Sequence, residues 1–336
     1  MLKRYVQCCM TLMRAFELAI PETLIHQNVK DLYWLCYAPN IMQGPAHCEF
    51  SVPDLCWFLD LQAQPSHLEA HLDARNMFLL GSYFEALWEF LLAHNPATTL
   101  LAKNVQVFTG TLRHKKTLGE MDFIYFCKAR QITVHLEVAV KFYIAYDSPH
   151  RDNTTSLPQH NWLGPQCNDR LDIKFHKLTH KQSCLSLTEE GQQALAGLGL
   201  QVDYAEISMP GFLFSSPQQP LIPDGANPQH LRGYHLGFSA FKQSSIEIAL
   251  WQVVAKPYWL SINNSISHGQ AQDSESYFDD AALLQYLQSH FENSDRAVML
   301  AGFKASTAGV FNLQTRMFIT ADNWPKRTAI TEHLLV

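Results

Sequence analysis

The 336-residue chain has enough apolar material for a large folded core, because 47% of its residues are hydrophobic and only 17% are charged. This composition argues against a disordered chain, and a formal net charge of −6 argues against a protein that coats nucleic acid nonspecifically. The eight cysteines show no C-x-x-C spacing, which is typical of reduced thiols in a cytoplasmic protein.

Residues 1–76 are predicted to form short helices that pack on the rest of the protein. Lys3 and Arg4 precede a short apolar run, but polar residues interrupt that run, so we expect no signal peptide. The most apolar long run, residues 78–93, contains Glu85 and is too short to cross a bilayer. No membrane partner is therefore expected.

A helix is predicted from about residue 78 to residue 94, because the chain then reaches Asn95-Pro96. Its apolar positions recur at helical spacing and form a core stripe of Leu80, Phe84, Leu87 and Leu91. Glu85 lies one position round the helix from this stripe. It is either an acid directed toward a site or an ordinary solvated acid like Glu89.

Residues 133–143 are predicted to form a strand, because they alternate strictly between two faces. One face is apolar, with Val134, Leu136, Val138, Val140 and Phe142. The other carries His135, Glu137 and Lys141, so one face is expected to pack and the other to be free for chemistry. His135 either contacts a phosphate or relays a proton, or it is a hydrogen-bonded histidine of the sheet surface.

A strand near residues 104–109 is followed by a hairpin whose second strand is the one just described. If the first hairpin strand ends at Cys127 and the next four residues form the turn, antiparallel pairing places Cys127 opposite Ile132. The same register places Asp122 opposite Glu137. The two carboxylates are therefore expected to be neighbours.

Two facing carboxylates about 5 Å apart repel each other by about 3 kcal/mol at an effective dielectric constant near 20. Three arrangements relieve that repulsion: protonation of one acid, compensation by Lys141, or a hard divalent cation such as Mg²⁺ between the acids. The third arrangement predicts a metal site. The alternative is an exposed sheet face with scattered charges.

After a loop over residues 147–168, a helix is predicted from Asp169, its cap, to about Leu187, and a strand-like run follows over residues 200–209. The helix carries a basic edge, Arg170, Lys174, Lys177 and Lys181, beside a buried stripe that includes Gln182. This edge is either a solvated face or a surface that binds phosphates.

Residues 103–181 hold twelve Lys and Arg against seven Asp and Glu, a local charge of +5 in an acidic chain. A positive segment around an acidic hairpin predicts a polyanionic partner. We expect this partner to be a nucleic acid; the resemblance described below implies DNA rather than RNA. Its contacts are expected to be Arg170, Lys174, Lys177, Lys181, Gln182 and His135.

The sequence Gly119-Glu120-Met121-Asp122, followed after about fifteen residues by Glu137-Val138 and then a lysine, resembles the signature of the PD-(D/E)xK nuclease superfamily, written G-E-x-D…E-x-K. Over roughly residues 28–330 the chain resembles an uncharacterised proteobacterial family in that superfamily, the domain of unknown function number 1853. The resemblance to this family lies in Asp31-Leu32-Tyr33-Trp34-Leu35, residues 81–85 and 137–143, Gly164-Pro165 and Asp169-Arg170-Leu171-Asp172-Ile173-Lys174.

The resemblance implies an α/β fold with a restriction-endonuclease-like core over residues 77–210. In such a core a helix, three strands, a helix and a strand build a mixed central sheet flanked by helices. Residues 1–76 would be an N-terminal helical extension. Residues 211–336 read as a C-terminal α+β region, either packed on the core or a second domain.

The resemblance also implies a metal-dependent phosphodiesterase, a nuclease acting on DNA. Asp122, Glu137 and the backbone carbonyl of Val138 would hold Mg²⁺ or Mn²⁺. Glu85 would assist, and Lys141 would orient or deprotonate the attacking water.

The chain departs from the superfamily signature at its lysine. Ala139 stands two residues after Glu137, where the signature has lysine, and Lys141 stands four residues after it, about 6 to 7 Å further along the same face. This departure motivates an alternative hypothesis, a catalytically degenerate nuclease fold that binds nucleic acid or a protein.

Overall fold

The computed structural model describes residues 17–44, 48–74, 79–111, 114–146, 155–272, 276–306 and 309–325. Three of the sequence predictions fall outside these ranges: the apolar run that follows Lys3 and Arg4, the helix start at Phe78, and the first part of the loop over residues 147–168. The described chain is a mixed α/β protein.

The described residues form nine α-helices: α1 (Gln27–Tyr37), α2 (Leu55–Ala63), α3 (Ser66–Asp73), α4 (Leu80–His94), α5 (Leu171–Lys177), α6 (Glu189–Ala196), α7 (Phe238–Gln243), α8 (His268–Gln272) and α9 (Asp280–Asn293). A π-helical segment over Leu178–Gln182 continues α5, and short 3₁₀ turns lie at Gln159–Asn161, Leu185–Leu187 and Lys256–Tyr258. None of the helices in the described ranges combines the length and the apolar character needed to cross a membrane.

Fifteen strands lie in the same ranges: β1 (Thr98–Thr111), β2 (His114–Cys127), β3 (Ile132–Val138), β4 (Lys141–Ala145), β5 (Ser156–Leu157), β6 (Trp162–Leu163), β7 (Tyr204–Ser208), β8 (Gly211–Ser215), β9 (Ile222–Pro223), β10 (Leu231–Gly237), β11 (Leu250–Val253), β12 (Ser265–Ser267), β13 (Tyr277–Phe278), β14 (Val298–Ala305) and β15 (Val310–Thr320). Apart from the short pair β5 and β9, they belong to two sheets.

The first sheet has the strand order β1-β2-β3-β7 and positions the predicted hairpin acids. Strands β1, β2 and β3 are antiparallel neighbours, and β7 joins parallel to β3 after the chain has passed through α5 and α6. The hairpin register is the predicted one, with Cys127 opposite Ile132. Six strands, β1 to β6, lie between α4 and α5 along the chain, and the first three of them form this sheet with β7.

Helix α4 ends at His94, and the extended Asn95 before Pro96 stops it, since a proline disfavours helical backbone in the residue that precedes it. The predicted stripe is buried, and Tyr83, Ala86, Trp88, Phe90 and Leu92 are buried as well. Helix α4 therefore lies inside the largest core cluster, which joins α1 and α4 to both sheets through Trp34, Trp88 and Phe212.

The predicted single strand over residues 133–143 is two strands, because β3 and β4 are separated at residues 139–140. The neighbouring chain segment is interrupted at the same height in the sheet, between β7, which pairs with β3, and β8, which pairs with β4. Pro210 lies in this interruption and has no N–H to donate. Ala139 N still donates to Ser208 O at 2.9 Å, and Lys141 N donates to Pro210 O at 3.1 Å. The two strand pairs therefore cross together from the first sheet into the second.

The second sheet has nine strands, in the order β13-β11-β14-β15-β10-β8-β4-β6, with β12 on β15. Its centre is parallel, from β4 through β8 and β10 to β15, and its remaining pairs are antiparallel. Strands β4 and β6, from the predicted core, thus share a sheet with strands that follow residue 210.

Candidate functional site

The predicted acid pair, Asp122 and Glu137, lies where β2 and β3 separate. The backbone ladder between these strands ends at Phe123 opposite Leu136. Beyond that pair, Asp122 N donates to Glu137 Oε1 at 3.3 Å, and Val138 N donates to Asp122 Oδ2 at 2.9 Å. Each carboxylate thus accepts a backbone N–H of the opposite strand, and the two acids are neighbours as the register predicts.

An irregularity in β1 accompanies the opening at Asp122. Strand β1 pairs Lys103 with Phe123 and Val105 with Met121, and Asn104 between them has a φ of 51°. Asparagine tolerates this left-handed conformation better than most residues, because its short polar side chain can bond locally. The residues on either side of Asp122 therefore pair with β1, while the Asp122 carboxylate accepts from Val138 N of β3.

The Glu137 carboxylate is fully buried and bonded at both oxygens. Oε1 is 2.9 Å from His135 Nε2, and Oε2 accepts from Gln182 Nε2 at 2.7 Å. His135 is also fully buried, with Nδ1 3.1 Å from Ser186 Oγ. The expectation that this face of the strand is free was wrong, because residues 178–187 fold over it.

The charges of the pair are disfavoured by burial. Burial raises the pKa of Asp122 to about 7, and the charge of Glu137 adds to the increase. Burial also raises the pKa of Glu137 to about 7, against the hydrogen bonds that it accepts and the charge of Lys174. Burial lowers the pKa of His135 to about 4. A neutral His135 can donate from Nε2 to Glu137 and accept from Ser186 at Nδ1.

Gln182 reaches Glu137 because the second predicted helix is not one continuous α-helix. Helix α5 ends at Lys177 and a π-helical segment follows, in which Ser183 N donates to Leu178 O at 3.0 Å. This bond spans five residues, so the segment is wider than an α-turn, and such segments often lie at functional sites. The predicted extent from 169 to 187 was therefore wrong in its last part.

Lys174 is the lysine whose charge acts on the acid pair. Its Nζ donates to Gln182 Oε1 at 3.4 Å, so a chain of hydrogen bonds joins Lys174, Gln182 and Glu137. Burial and the nearby charge of Lys141 lower the pKa of Lys174, while the charges of Asp122 and Glu137 oppose that decrease. Lys174 was predicted to contact phosphate, and its link to the acid pair could not be predicted, because that link depends on how the π-helical segment with Gln182 packs against the hairpin.

Lys141, the lysine predicted for catalysis, has a different carboxylate partner. Its Nζ lies 2.6 Å from Asp169 Oδ2. Asp169 therefore does not cap α5, whose N-cap is Arg170, and the predicted cap was wrong. A cavity of about 220 Å³ beside this ion pair is lined by Gly81, Gly164 and Trp259 among others.

Glu85 lies on α4, and its side chain is exposed. Partial burial raises its pKa, and the charges of Asp122 and Glu120 add to the increase. Lys174 acts in the opposite direction on Glu85, as it does on the buried pair.

Two of the four residues on the predicted basic edge have partners within the protein. The Arg170 guanidinium binds both oxygens of Asp172, at 2.7 and 3.0 Å, and Lys174 donates to Gln182. Lys177 and Lys181 are exposed. The surface available to a polyanion near α5 is therefore narrower than the sequence predicts.

The donor set beside β2 and β3 suits a hard cation better than zinc. No group of three or more His, Cys, Asp or Glu in the described part of the chain has the arrangement of a metal site. Asp122 and Glu137 offer two carboxylates, and the Val138 carbonyl faces the same strand edge as the N–H that Asp122 accepts. Mg²⁺ commonly takes one or two carboxylates and completes its shell with waters and substrate phosphate.

Fold and site together define a mixed α/β protein with a carboxylate pair at the open end of a β-hairpin. The chain belongs to the family described as a domain of unknown function (DUF1853), whose family model matches residues 30–320. Comparisons with curated proteins and with solved structures gave no match.

Proposed function

We propose that the protein is a metal-dependent phosphodiesterase, a nuclease with a restriction-endonuclease-like core of the PD-(D/E)xK type, and that it acts on DNA. The observation that carries this proposal is the pairing of Asp122 with Glu137 at the open end of a hairpin, with Lys174 linked to Glu137 through Gln182. The same fold type is supported by the first sheet, in which three consecutive antiparallel strands follow α4 and the later strand β7 joins in parallel.

Asp122, Glu137 and the Val138 carbonyl would hold Mg²⁺ or Mn²⁺, and Glu85 would assist from α4. The cation would supply Lewis-acid stabilisation of charge on the phosphate that is cleaved. His135 and Gln182 orient the Glu137 carboxylate by bonding its two oxygens. Such partners of a ligating carboxylate hold it in a productive direction.

Lys174 takes the role that the signature gives to its lysine. Its ammonium donates to Gln182, which in turn donates to Glu137, whereas the Lys141 ammonium is bonded to Asp169. A cation next to the acid pair would orient the attacking water and offset the charge that develops on the phosphate. In this proposal Lys174 of α5 replaces the lysine that the signature has at the position of Ala139.

DNA would approach over exposed cations of α5, the helix that carries Lys174, and of the segment that follows it. Lys177 and Lys181 are exposed there. Lys115 and Lys116 are exposed at the other end of β2, about 20 Å along the strand from Asp122, and would extend this contact. Phosphate contacts of this kind give affinity without base specificity and weaken steeply as salt rises.

The test is hydrolysis of single-stranded, duplex and branched DNA, and of RNA, with Mg²⁺ or Mn²⁺. We expect cleavage of DNA by the parent and none by Asp122→Asn. Lys174→Met should lower the rate by about 10²-fold or more, while Lys141→Met, the matched control, should lower it by less than about tenfold. Absence of cleavage on every substrate would reject the proposal.

A second candidate function is nucleic-acid binding by a catalytically degenerate fold. The observation that favours it is the full use of the Glu137 oxygens within the protein, by Asp122 N, His135 and Gln182. This candidate predicts DNA binding that survives Asp122→Asn and weakens in a Lys177→Ala, Lys181→Ala variant. Turnover that depends on metal would exclude it.

A further inference from the structure

Lys30 of α1 is a buried lysine outside the acid-pair site, and only 5% of its surface is exposed. Its ammonium donates to Asn263 Oδ1. Among the described residues, no carboxylate lies within ion-pair distance of it. The ammonium thus has two N–H groups left and no counter-charge in contact.

Its sequence neighbour Asp31 is used elsewhere. Asp31 Oδ1 accepts from Ser261 N at 3.1 Å, from Ser261 Oγ at 2.5 Å and from Gln27 Nε2 at 3.1 Å. Asp31 Oδ2 accepts from Tyr83 Oη at 2.8 Å. Burial lowers the pKa of Lys30, and Asp31 opposes that decrease only through its nearby charge.

Lys30 lines a cavity of about 310 Å³. The other lining residues are the acid Glu22, the polar residues Asn263, Asn264, Ser265 and Gln270, and the apolar residues Ile20, Pro21, Leu24, Ile25 and Ile262. Gln270 Oε1 already accepts from Ser267 N at 2.9 Å, which leaves the Gln270 amide N–H groups to donate. A cavity of this size, with polar groups on one part of its lining and apolar side chains on the rest, can hold a small molecule whose anionic group contacts Lys30 rather than Glu22.

We infer that this cavity binds a small organic oxyanion, a carboxylate or a phosphate monoester, whose head group contacts the Lys30 ammonium. A buried ammonium is unfavourable unless an anion and further hydrogen bonds compensate it. An oxyanion supplies both, because it accepts from the free N–H groups of Lys30 and from neighbouring amides. Ile20, Leu24 and Ile262 would contact the carbon skeleton of the ligand.

The cavity shares no lining residue with the acid pair, so this inference goes beyond the proposed function and does not depend on it. Asp122→Asn should abolish DNA cleavage and leave oxyanion binding unchanged. Loss of oxyanion binding in a Lys30 variant should leave cleavage of DNA unchanged. The two proposals can therefore fail separately.

The test is calorimetric titration of the full chain with succinate in one arm and glycerol phosphate in the other. We expect at least one of them to bind with a Kd of about 1 mM or below. Lys30→Met, which keeps the length and removes the charge, and Lys30→Gln, which keeps a donor for Asn263, should both weaken binding by at least about tenfold. Lys242→Met, at an exposed lysine of α7, is the matched control and should bind like the parent.

The arm that binds identifies the head group as a carboxylate or a phosphate. The melting temperature of the ligand-free protein gives a second measurement. Lys30→Met should raise it, because this substitution removes a buried charge that has no counter-ion in contact. If neither probe binds the parent at about 10 mM, or if the Lys30 variants bind as well as the parent, the inference is overturned.

Discussion

Replacing Asp122 or Glu137 by its amide should affect stability differently, because the two carboxylates accept different numbers of hydrogen bonds. Asp122 accepts one described hydrogen bond, from Val138 N, which an asparagine oxygen can also accept. Asp122→Asn should therefore remove repulsion and stabilise the metal-free protein by about 1 to 2 kcal/mol at neutral pH, after allowance for solvent screening. Urea unfolding in the presence of a chelator measures this change.

Glu137→Gln is the contrasting variant. Both Glu137 oxygens accept, so the amide group of a glutamine would face either Gln182 Nε2 or the donors at Asp122 and His135. A donor facing a donor leaves buried groups unsatisfied, at a cost of about 1 to 3 kcal/mol. We expect no net stabilisation from this variant, and equal stabilisation by the two amides would contradict the described contacts.

The acid pair also makes stability depend on pH with a defined sign. The pKa of Asp122 is raised from 3.8 to about 7 in the folded protein. The folded state therefore holds its proton more tightly, and the stability gained in this way is complete below pH 3.8 and is lost as pH rises through about 7. The stabilisation by Asp122→Asn should grow over this interval.

The measurement is the difference in unfolding free energy between parent and variant from pH 4 to pH 8. His135 acts in the opposite direction, because its lowered pKa gives stability above its ordinary value of 6.5 that is lost as pH falls toward about 4. Both proteins contain His135 and Glu137, so the difference reports the titration of Asp122 together with the change that its charge causes in these two neighbours. A difference that is independent of pH would show that Asp122 is not perturbed.

At the scale of elements, the crossing of β3–β4 and β7–β8 between the two sheets depends on close contact at Gly211. This residue has a φ of 154°, and a Cβ placed there would lie 1.7 Å from Lys141 O. Gly211→Ala should therefore cost about 3 kcal/mol or more, because both the backbone conformation and the contact resist it. Chemical denaturation measures the loss.

Gly81 of α4 provides the control, because a Cβ there meets nothing within 4 Å. Alanine is preferred to glycine within a helix, so Gly81→Ala should stabilise by about 0.5 to 1 kcal/mol. A Gly211→Ala variant as stable as the parent would contradict the close contact between β4 and β8 at this residue.

The hairpin could be predicted from sequence because its signals are local. Strict alternation fixes the strand, and the turn length fixes the register, so Asp122 and Glu137 are found together. Alternation does not say whether the polar face is open or covered. The cover over His135 comes from residues 178–187, which are distant in sequence.

Other features of the elements depend on distant residues and could not be predicted. The break at residues 139–140 depends on Pro210, which lies in a neighbouring strand pair about 70 residues later. The π-helical segment after Lys177 shifts Gln182 toward Glu137, and no residue type in it distinguishes it from an α-helix. The partners of the two lysines, Asp169 for Lys141 and Gln182 for Lys174, likewise depend on contacts between segments that are distant in sequence or separated by an irregular helix.

At the scale of the whole molecule, Arg316 of β15 joins distant parts of the chain and is fully buried. Its guanidinium binds Glu17, donates to the carbonyls of Trp259 and Leu260, and lies 3.9 Å from the centre of the Phe212 ring. Breaking a buried ion pair from one side typically costs about 3 to 5 kcal/mol. Glu17→Gln should therefore lower the melting temperature.

Glu69→Gln is the control for the loss of stability expected from Glu17→Gln. Glu69→Gln removes an acid whose partner is the less buried His26, at 2.9 Å. Ion pairs near solvent contribute about 0 to 1 kcal/mol, so this variant should melt close to the parent. Equal effects of the two substitutions in differential scanning calorimetry would contradict the role of Arg316 as a link between distant parts of the fold.

Direct Mn²⁺ binding tests most sharply the proposal that Asp122 and Glu137 hold a catalytic divalent cation. Electron paramagnetic resonance counts free and bound Mn²⁺ for the parent, for Asp122→Asn, and for Glu292→Gln, an exposed acid of α9 used as the control. We expect Mn²⁺ to bind parent and control, and to bind Asp122→Asn at least about tenfold more weakly, with a matching loss of thermal stabilisation by Mn²⁺. Mn²⁺ binding that is absent at millimolar concentration, or equal in all three proteins, would contradict the proposal.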